Sequence, residues 1–241
     1  MTSLSRLKRE IHSSLEKRSC KKHAEGMRRY FKEDIRPLGV RTPIVRKLAA
    51  DFSDARKLPK EESFSLAELL LEKSFEEGIF GLYLLSRTKR QWDCSDFPSL
   101  KRIAGKLSNW AHCDEFSCHT INPFVERFPD SGKGLVGWAG SENRWLRRAS
   151  AVSLVPSVRK GKLTSLAFLV SGKLLPDGEE IVQKGVGWLL KELAKAKKGE
   201  VVGFLKKRSA SRMIYRIAFE NFPEGERRAL LNGIFPKGCR P

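Results

Sequence analysis

Residues 179–196 read EEIVQKGVGWLLKELAKA, and their apolar side chains recur at the spacing of an α-helix. The stripe that such a helix would bury consists of Val182, Val186, Leu189 and Leu193. Trp188 lies off that stripe, and its neighbours around the helix are Lys184 and Lys191. Trp188 would therefore either pack against an adjacent helix or contact a nucleotide between two phosphate-binding lysines.

Helical rather than alternating spacing of apolar residues runs along nearly the whole chain. Further examples are Leu66, Leu69 and Leu70; Ile79, Leu82 and Tyr83; and Leu100, Ile103 and Leu107. Two helix starts are predicted, one from Ser65 and Glu68 at capping-box spacing and one from Asn122 directly before Pro123. Frequent Pro and Gly breakers limit the helices to roughly 10–18 residues. The sequence therefore predicts an all-α fold.

The order of these helices is compatible with a repeat architecture. Successive units of about 35–45 residues, each able to hold two or three helices, match a HEAT-like helical-repeat solenoid. Such a solenoid would present a concave basic face that can follow a duplex backbone. We expect a single domain over residues 1–241, with a short flexible C-terminal tail from about residue 236. A globular helical bundle is the alternative.

The charge balance of the chain points to a polyanionic partner. It has 47 Lys and Arg residues against 28 Asp and Glu residues, a formal net charge of +19, and an isoelectric point of about 10.0. The cations are spread along the chain, which is typical of a folded surface with many phosphate contacts. Nucleic acid is the expected partner, and a solvated surface that only confers solubility is the alternative.

Other classes of function receive no support from the sequence. No stretch approaches the roughly 20 apolar residues of a membrane helix, so a soluble cytoplasmic protein without a membrane partner is expected. Five scattered cysteines indicate free thiols rather than a disulfide framework. The spacing of Cys113 and Cys118 does not suit zinc, and there is no P-loop. We therefore expect neither a metal nor a small-molecule cofactor.

One carboxylate does not fit a plain hydrophobic core. If residues 109–122 form one helix, four side chains share a face: Trp110, Asp114, Ser117 and Ile121. Burying Asp114 there would cost several kcal/mol unless it is paired, so it is either a structural acceptor or a functional acid. A further helix is predicted to open at Asn143. Its Arg148, one turn from Trp145, could pair with Asp114 or reach a phosphate.

Five segments, in this order, resemble the AlkD-type DNA alkylation repair family, whose members are HEAT-like helical proteins that release alkylated purines from DNA. The segments are Met27–Lys32, Leu38–Pro43, Asn109-Trp110 with Asp114 four residues after the tryptophan, Trp145–Ala149, and Val182–Glu192. The resemblance runs from about Ala24 to Phe222. It is carried by the order of the segments rather than by any one of them.

This resemblance implies a DNA glycosylase of base excision repair that acts as a monomer on double-stranded DNA containing alkylated bases. It would hydrolyse the N-glycosidic bond of cationic 3- and 7-alkylated purines. By the same resemblance Asp114 would be the catalytic carboxylate, with Trp110 and Trp188 as the aromatic residues around the lesion nucleotide. The implied DNA-binding residues are Tyr30, Arg41, Arg148, Lys184 and Lys191.

Two positions depart from the family pattern. Arg41 stands where a glutamine is expected, and a fixed cation there would repel a cationic base. Lys191 stands where an arginine is expected, which keeps the charge but loses the bidentate geometry. The alternative function is therefore a non-catalytic HEAT-like protein that binds branched or distorted DNA through its backbone. A helical RNA-binding repeat is a third possibility.

Overall fold

The computed structural model describes residues 3–234, and within this range the chain forms helices and no strands. The all-α prediction is confirmed. The α-helices are α1 (Ser3–Glu16), α2 (Lys21–Tyr30), α3 (Thr42–Arg56), α4 (Lys60–Leu71), α5 (Phe75–Arg87), α6 (Phe97–Gly105), α7 (Trp110–Phe116), α8 (Asn122–Arg127), α9 (Gly132–Trp138), α10 (Arg144–Val152), α11 (Val155–Val158), α12 (Thr164–Leu174), α13 (Glu180–Lys206), α14 (Arg212–Ala218) and α15 (Glu224–Ile234). The predicted tail from about residue 236 lies outside the described residues.

The chain divides between Phe128 and Pro129 into two compact units, here named the N-terminal unit and the C-terminal unit. The first contains α1 to α8 and the second contains α9 to α15. Several helices are shorter than predicted, with seven residues each in α7, α9 and α14, whereas α13 has 27. The single domain over residues 1–241 and the concave basic face of a solenoid stay predictions.

Helix α5 is the centre of the N-terminal unit, where it packs against α3, α4 and α7. All of its residues are buried except Tyr83 and Arg87. Three residues connect α4 to α5, so the two helices run antiparallel. At its start the Ser74 hydroxyl accepts from the Glu77 amide, and the Glu77 carboxylate accepts from the Ser74 amide. This reciprocal cap fixes where the central helix begins.

A buried carboxylate on α5 holds the loop that leads into α3. Glu76 is 0% exposed, and its two oxygens accept from the backbone amides of Leu38, Gly39 and Val40 at 2.7, 2.7 and 3.0 Å. Gly39 has a φ of +88°, and a Cβ there would stand 2.1 Å from the Cys20 carbonyl oxygen. The loop therefore requires a glycine at position 39, and it requires the Glu76 carboxylate to accept hydrogen bonds from its backbone amides.

Helix α13 organises the C-terminal unit by packing against α10, α12 and α14. The predicted stripe is confirmed, because all four of its residues are fully buried: Val182, Val186, Leu189 and Leu193. Lys197 has non-helical dihedral angles (φ −132°, ψ 44°), so the helix kinks near the predicted end and then continues to Lys206. A Cβ on Gly187 would lie 2.7 Å from Cβ of Ile217, which explains a glycine within this helix.

One of the two predicted helix starts is wrong. Ser65 lies inside α4, where its hydroxyl donates to the Glu61 carbonyl at 2.9 Å instead of capping a helix. The start predicted at Asn122 is confirmed in place, because α8 begins at Asn122 with Pro123 in its first turn. Asn122 is not an N-cap, however, since the preceding Ile121 is already helical and the chain enters α8 directly from the π-helix Ser117–Ile121.

Candidate catalytic carboxylate and nucleic-acid interface

The first turn of α7, which carries the candidate carboxylate, is fixed by Asn109 and His112. The Asn109 side-chain oxygen accepts from the His112 amide at 2.9 Å and so caps the helix. His112 Nε2 lies 2.8 Å from the Phe75 carbonyl oxygen, and Nδ1 lies 3.0 Å from Asn109 Nδ2. Because a carbonyl only accepts, Nε2 carries the proton and Nδ1 accepts from the amide. The ring thereby ties α7 to the start of α5.

Burial keeps this imidazole neutral. His112 is 2% exposed, and desolvation lowers its pKa to about 4 despite the opposing hydrogen bond to the Phe75 carbonyl. The ring also stacks on Phe75, with 5.0 Å between ring centroids. A Cβ on Gly78 would come within 2.4 Å of the imidazole, so a side chain at that position is excluded. His112 is therefore a structural residue beside the candidate site rather than an acid or base.

An aromatic cluster covers the start of α7. Phe31 stacks on Trp110 with centroids 4.9 Å apart and an interplanar angle of 10°, and Tyr30 meets Trp110 edge-on at 6.1 Å. Tyr30 is 71% exposed, which is unusual for a large aromatic side chain that has neighbours to pack on. The structure therefore brings Tyr30 and Trp110 together, and it adds Phe31, which the sequence interpretation had not included among the site residues.

Asp114 lies one helical turn after Trp110 on α7 and is partly buried. The two side chains therefore project from the same side of the helix, as predicted. The predicted face is interrupted between Ser117 and Ile121, however, because the π-helix Ser117–Ile121 has a wider turn and shifts the residues after Ser117 around the helix. The carboxylate and the indole share a face over α7 alone.

Arg41 occupies the N-cap position of α3 and is exposed. Its backbone is extended, with φ −62° and ψ 135°, and its side chain does not cap the helix. It directly follows the loop that Glu76 holds from below. The position of Arg41 at the surface of the N-terminal unit is therefore set by a buried carboxylate 35 residues later in the chain.

Arg148 contributes to the packing of the C-terminal unit. It is 5% exposed and donates from Nη1 to the Ile181 carbonyl oxygen at 2.7 Å, linking α10 to the first turn of α13. Its side chain passes over Gly185, where a Cβ would lie 3.4 Å from Nη1. Arg144 and Arg147 are more exposed than Arg148, although Arg147 also pairs with Asp177 at 2.6 Å. Arg148 therefore supports the helix that carries Trp188.

Trp188 is partly buried on α13, and a cation stands near its ring. The Arg159 guanidinium carbon is 5.8 Å from the centre of the Trp188 ring, and its Nε donates to Glu192 at 2.9 Å. Burial alone would raise the pKa of Glu192, but hydrogen bonds from Arg159 and Lys195 outweigh it and lower the pKa to about 2. Sequence reasoning missed this pair, since Arg159 and Glu192 are 33 residues apart.

The two lysines beside Trp188 already have carboxylate neighbours. Lys184 Nζ lies 2.6 Å from Glu180, and Lys191 Nζ lies 2.8 Å from Glu220. Ion pairs at a surface contribute little free energy, so a phosphate could replace the carboxylate that pairs with either lysine. Both lysines project from α13 with Trp188, which gives this helix a polar side beside its buried stripe.

Other features of the described chain bear on the expected chemistry. Within residues 3–234, no three His, Cys, Asp or Glu side chains are grouped so that they could hold a metal ion. Cys20, Cys94, Cys113 and Cys118 are thiols rather than disulfide-bonded, as predicted, and Cys239 lies outside the described range. None of the described helices is long and apolar enough to cross a membrane.

Comparison with known proteins finds one matching family model and several solved structures of similar fold. The family model of the DNA alkylation repair enzymes matches residues 11–222. A predicted DNA alkylation repair enzyme from Enterococcus faecalis superimposes with a TM-score of 0.77 at 17% identity, covering 86% of this chain and 98% of its own. AlkD2 from Streptococcus mutans gives a TM-score of 0.58 at 19% identity, with coverages of 76% and 91%. The protein smu.31 from the same species gives 0.55 at 19%, with coverages of 73% and 95%. No curated protein is significantly similar in sequence.

Proposed function

The chain belongs to the DNA alkylation repair enzyme family, and from this membership we propose that it is a DNA glycosylase for cationic 3- and 7-alkylated purines in duplex DNA. The observation that carries the proposal is the position of Asp114, one turn after an indole that is itself stacked on Phe31 and edged by the exposed Tyr30. A carboxylate beside an aromatic surface is suited to a substrate that becomes cationic as it reacts.

The proposed reaction needs little from the protein besides electrostatics. A 3- or 7-alkylated purine already carries a positive charge, so it leaves the sugar without protonation by a general acid. Positive charge then develops on the sugar as an oxocarbenium-like species. Asp114 stabilises that charge and positions the attacking water, whose proton it can accept. Its contribution grows as the bond breaks, which is the requirement for transition-state stabilisation.

The other predicted residues would bind DNA. The Trp110 indole would favour the cationic sugar by roughly 0.5–2 kcal/mol through its negative ring face. We propose a similar contact for Trp188, with Lys184 and Lys191 on neighbouring phosphates and Tyr30, Arg41 and Arg148 in support. The enzyme would act as a monomer in the cytoplasm, without metal or cofactor.

The test is release of labelled base from methylated duplex DNA by wild-type protein and by Asp114→Asn. The variant should bind the duplex nearly as well as wild type but lose excision by at least about a hundredfold, since one electrostatic group in an active site contributes about that much. Asp130→Asn is the matched control, because Asp130 is a fully exposed carboxylate of the C-terminal unit. Excision by Asp114→Asn at the wild-type rate would refute the assignment, as would equal losses of folding and excision.

A second candidate is the non-catalytic protein that binds branched or distorted DNA through its backbone. One observation favours it: the Arg159 guanidinium lies near the face of Trp188, where a cationic sugar or base would otherwise be attracted. Arg41 is another fixed cation, and it lies in the N-terminal unit. The two functions separate in one assay, because duplex binding without release of any base by wild-type protein supports the second candidate alone.

A further inference from the structure

A cavity of about 650 Å³ lies within the N-terminal unit, beside α7. This volume is within the range of about 300–1,000 Å³ that is typical of small-molecule sites. Four cations line it, from three separate elements: Arg46 of α3, Arg87 at the end of α5, and Lys89 and Arg90 just beyond α5. Glu115 is the one carboxylate among the described lining residues, so the wall carries an excess of positive charge that favours binding of a further anion.

The wall of this cavity also contains a carboxylate that is incompletely satisfied. Glu115 is 4% exposed at its side chain, and its Oε2 accepts from Nη2 of Arg46. Its other oxygen, Oε1, has no hydrogen-bond partner, and neither has Nε of Arg46, although both atoms are buried. Burying Oε1 of Glu115 and Nε of Arg46 without hydrogen bonds costs free energy, and a ligand that bonds to both atoms would remove this cost.

The two partners differ in exposure. Glu115 is buried inside the fold on α7, whereas the Arg46 side chain is 42% exposed and so lies between Glu115 and the solvent. A third observation concerns the wall next to Glu115, where Cys118 and His119 line the cavity from the π-helix Ser117–Ile121. Single π-helical turns within helices occur frequently at functional sites.

From these features we infer that the cavity is a nucleotide-binding pocket, separate from the aromatic cluster at Trp110. The base places an N–H donor against Oε1 of Glu115 and an adjacent acceptor, such as the carbonyl of guanine, against Nε of Arg46. The phosphate lies among Arg87, Lys89 and Arg90. Arg87 already pairs with Asp54, but that pair is at the surface and exchanges readily for a phosphate.

A nucleotide suits this pocket better than a simple anion does. Inorganic phosphate would satisfy the cations, yet its oxygens would face the Glu115 carboxylate and leave Oε1 without a donor. A nucleoside would satisfy Glu115 but leave the cations unneutralised. Only a ligand with both a base and a phosphate can bond to Glu115 and also neutralise the cations. Such a ligand can be a free nucleotide or an unpaired nucleotide of a strand.

The test measures binding of three probes to the full-length protein by calorimetry: guanosine 5′-monophosphate, guanosine and inorganic phosphate. The nucleotide should bind more tightly than either part. Glu115→Gln should weaken nucleotide binding roughly tenfold, because a hydrogen bond to a charged acceptor is replaced by a neutral one. The same change should leave phosphate binding unchanged or strengthen it severalfold, because a repelling charge is removed. Glu61→Gln, an exposed carboxylate of α4, is the control and should change neither.

A second variant keeps the inference testable if Glu115→Gln does not fold. Lys89→Ala combined with Arg90→Ala changes only exposed side chains, and it should weaken the nucleotide and phosphate while leaving guanosine unaffected. Equal affinities for nucleotide and phosphate in wild type would overturn the inference, as would absence of saturable binding at millimolar concentrations. A 5′-phosphorylated tetranucleotide, run alongside, tells the two sources apart: tighter binding than the monophosphate supports a strand nucleotide, and weaker binding supports a free one.

Discussion

Acidification from pH 7.5 to 4.5 should remove the contribution that His112 makes to the stability of the N-terminal unit. Its imidazole is buried and neutral, with a pKa lowered from 6.5 to about 4. The unfolded chain therefore binds a proton at His112 below about pH 6.5, whereas the folded chain does not bind it until the pH falls to about 4. The stabilisation from His112 is complete above pH 6.5 and is lost as the pH falls through this window.

The magnitude follows from the two pKa values. One pKa unit corresponds to about 1.36 kcal/mol, so the difference between 6.5 and about 4 is worth about 3 kcal/mol in full and about 2.5 kcal/mol at pH 4.5. A typical urea m-value of about 1–3 kcal/mol/M converts this to a shift in the midpoint of unfolding on the order of 1 M. An effect of this size is a large part of the stability of a small domain.

The assay compares urea unfolding of wild-type protein and His112→Gln at pH 7.5 and 4.5, at one salt concentration. Glutamine does not titrate, so the difference between the two proteins cancels the contributions of carboxylates common to both. Wild type should be the more stable at pH 7.5, and that advantage should shrink by about 2.5 kcal/mol at pH 4.5. An advantage that is the same at both pH values would refute the reasoning. If the variant does not fold, the ring can be followed by NMR, where its resonances should not titrate above pH 5.

Two further predictions concern the loop before α3 and the polar side of α13. Glu76→Gln should destabilise the protein by about 2–4 kcal/mol in urea unfolding, because three backbone amides lose a charged acceptor. One of these amides would also face the N–H group of the glutamine side chain. Equal stability of Glu76→Gln and the exposed control Glu72→Gln would contradict this prediction. Substituting alanine for Lys184 and Lys191 should reduce the slope of log affinity for duplex DNA against log salt concentration by up to about 0.9 for each phosphate that a lysine no longer neutralises. An unchanged slope would remove this side of α13 from the DNA footprint.

The fold class could be predicted because hydrophobic periodicity is a local property. The stripe on α13 is visible in residues within five turns of one another, and the end predicted near residue 196 coincides with the kink at Lys197. Ser65 shows where this approach fails. Its capping-box spacing is also compatible with the interior of a helix, and only the packing of α4 on α5 decides between the two.

The candidate site was predictable only in part for a related reason. Trp110 and Asp114 are four residues apart, so a helix periodicity places them on one face without knowledge of the rest of the fold. The ion pair of Arg46 with Glu115 spans 69 residues, and the hydrogen bond from His112 to the Phe75 carbonyl spans 37. Neither pair has a local pattern, since each exists only after α3, α5 and α7 have packed together.

These long-range contacts explain how α7 can hold Asp114, the proposed catalytic carboxylate, in a fixed position. Helix α7 has seven residues and continues directly into the π-helix Ser117–Ile121. It is anchored at one end by the Asn109 cap and the His112 ring, and near its other end by the pair of Glu115 with Arg46. Asp114 lies between these anchors. Since a displacement of about 1 Å can cost a hundredfold in rate, changes at the anchors should impair the catalysis proposed for Asp114 without any contact to DNA.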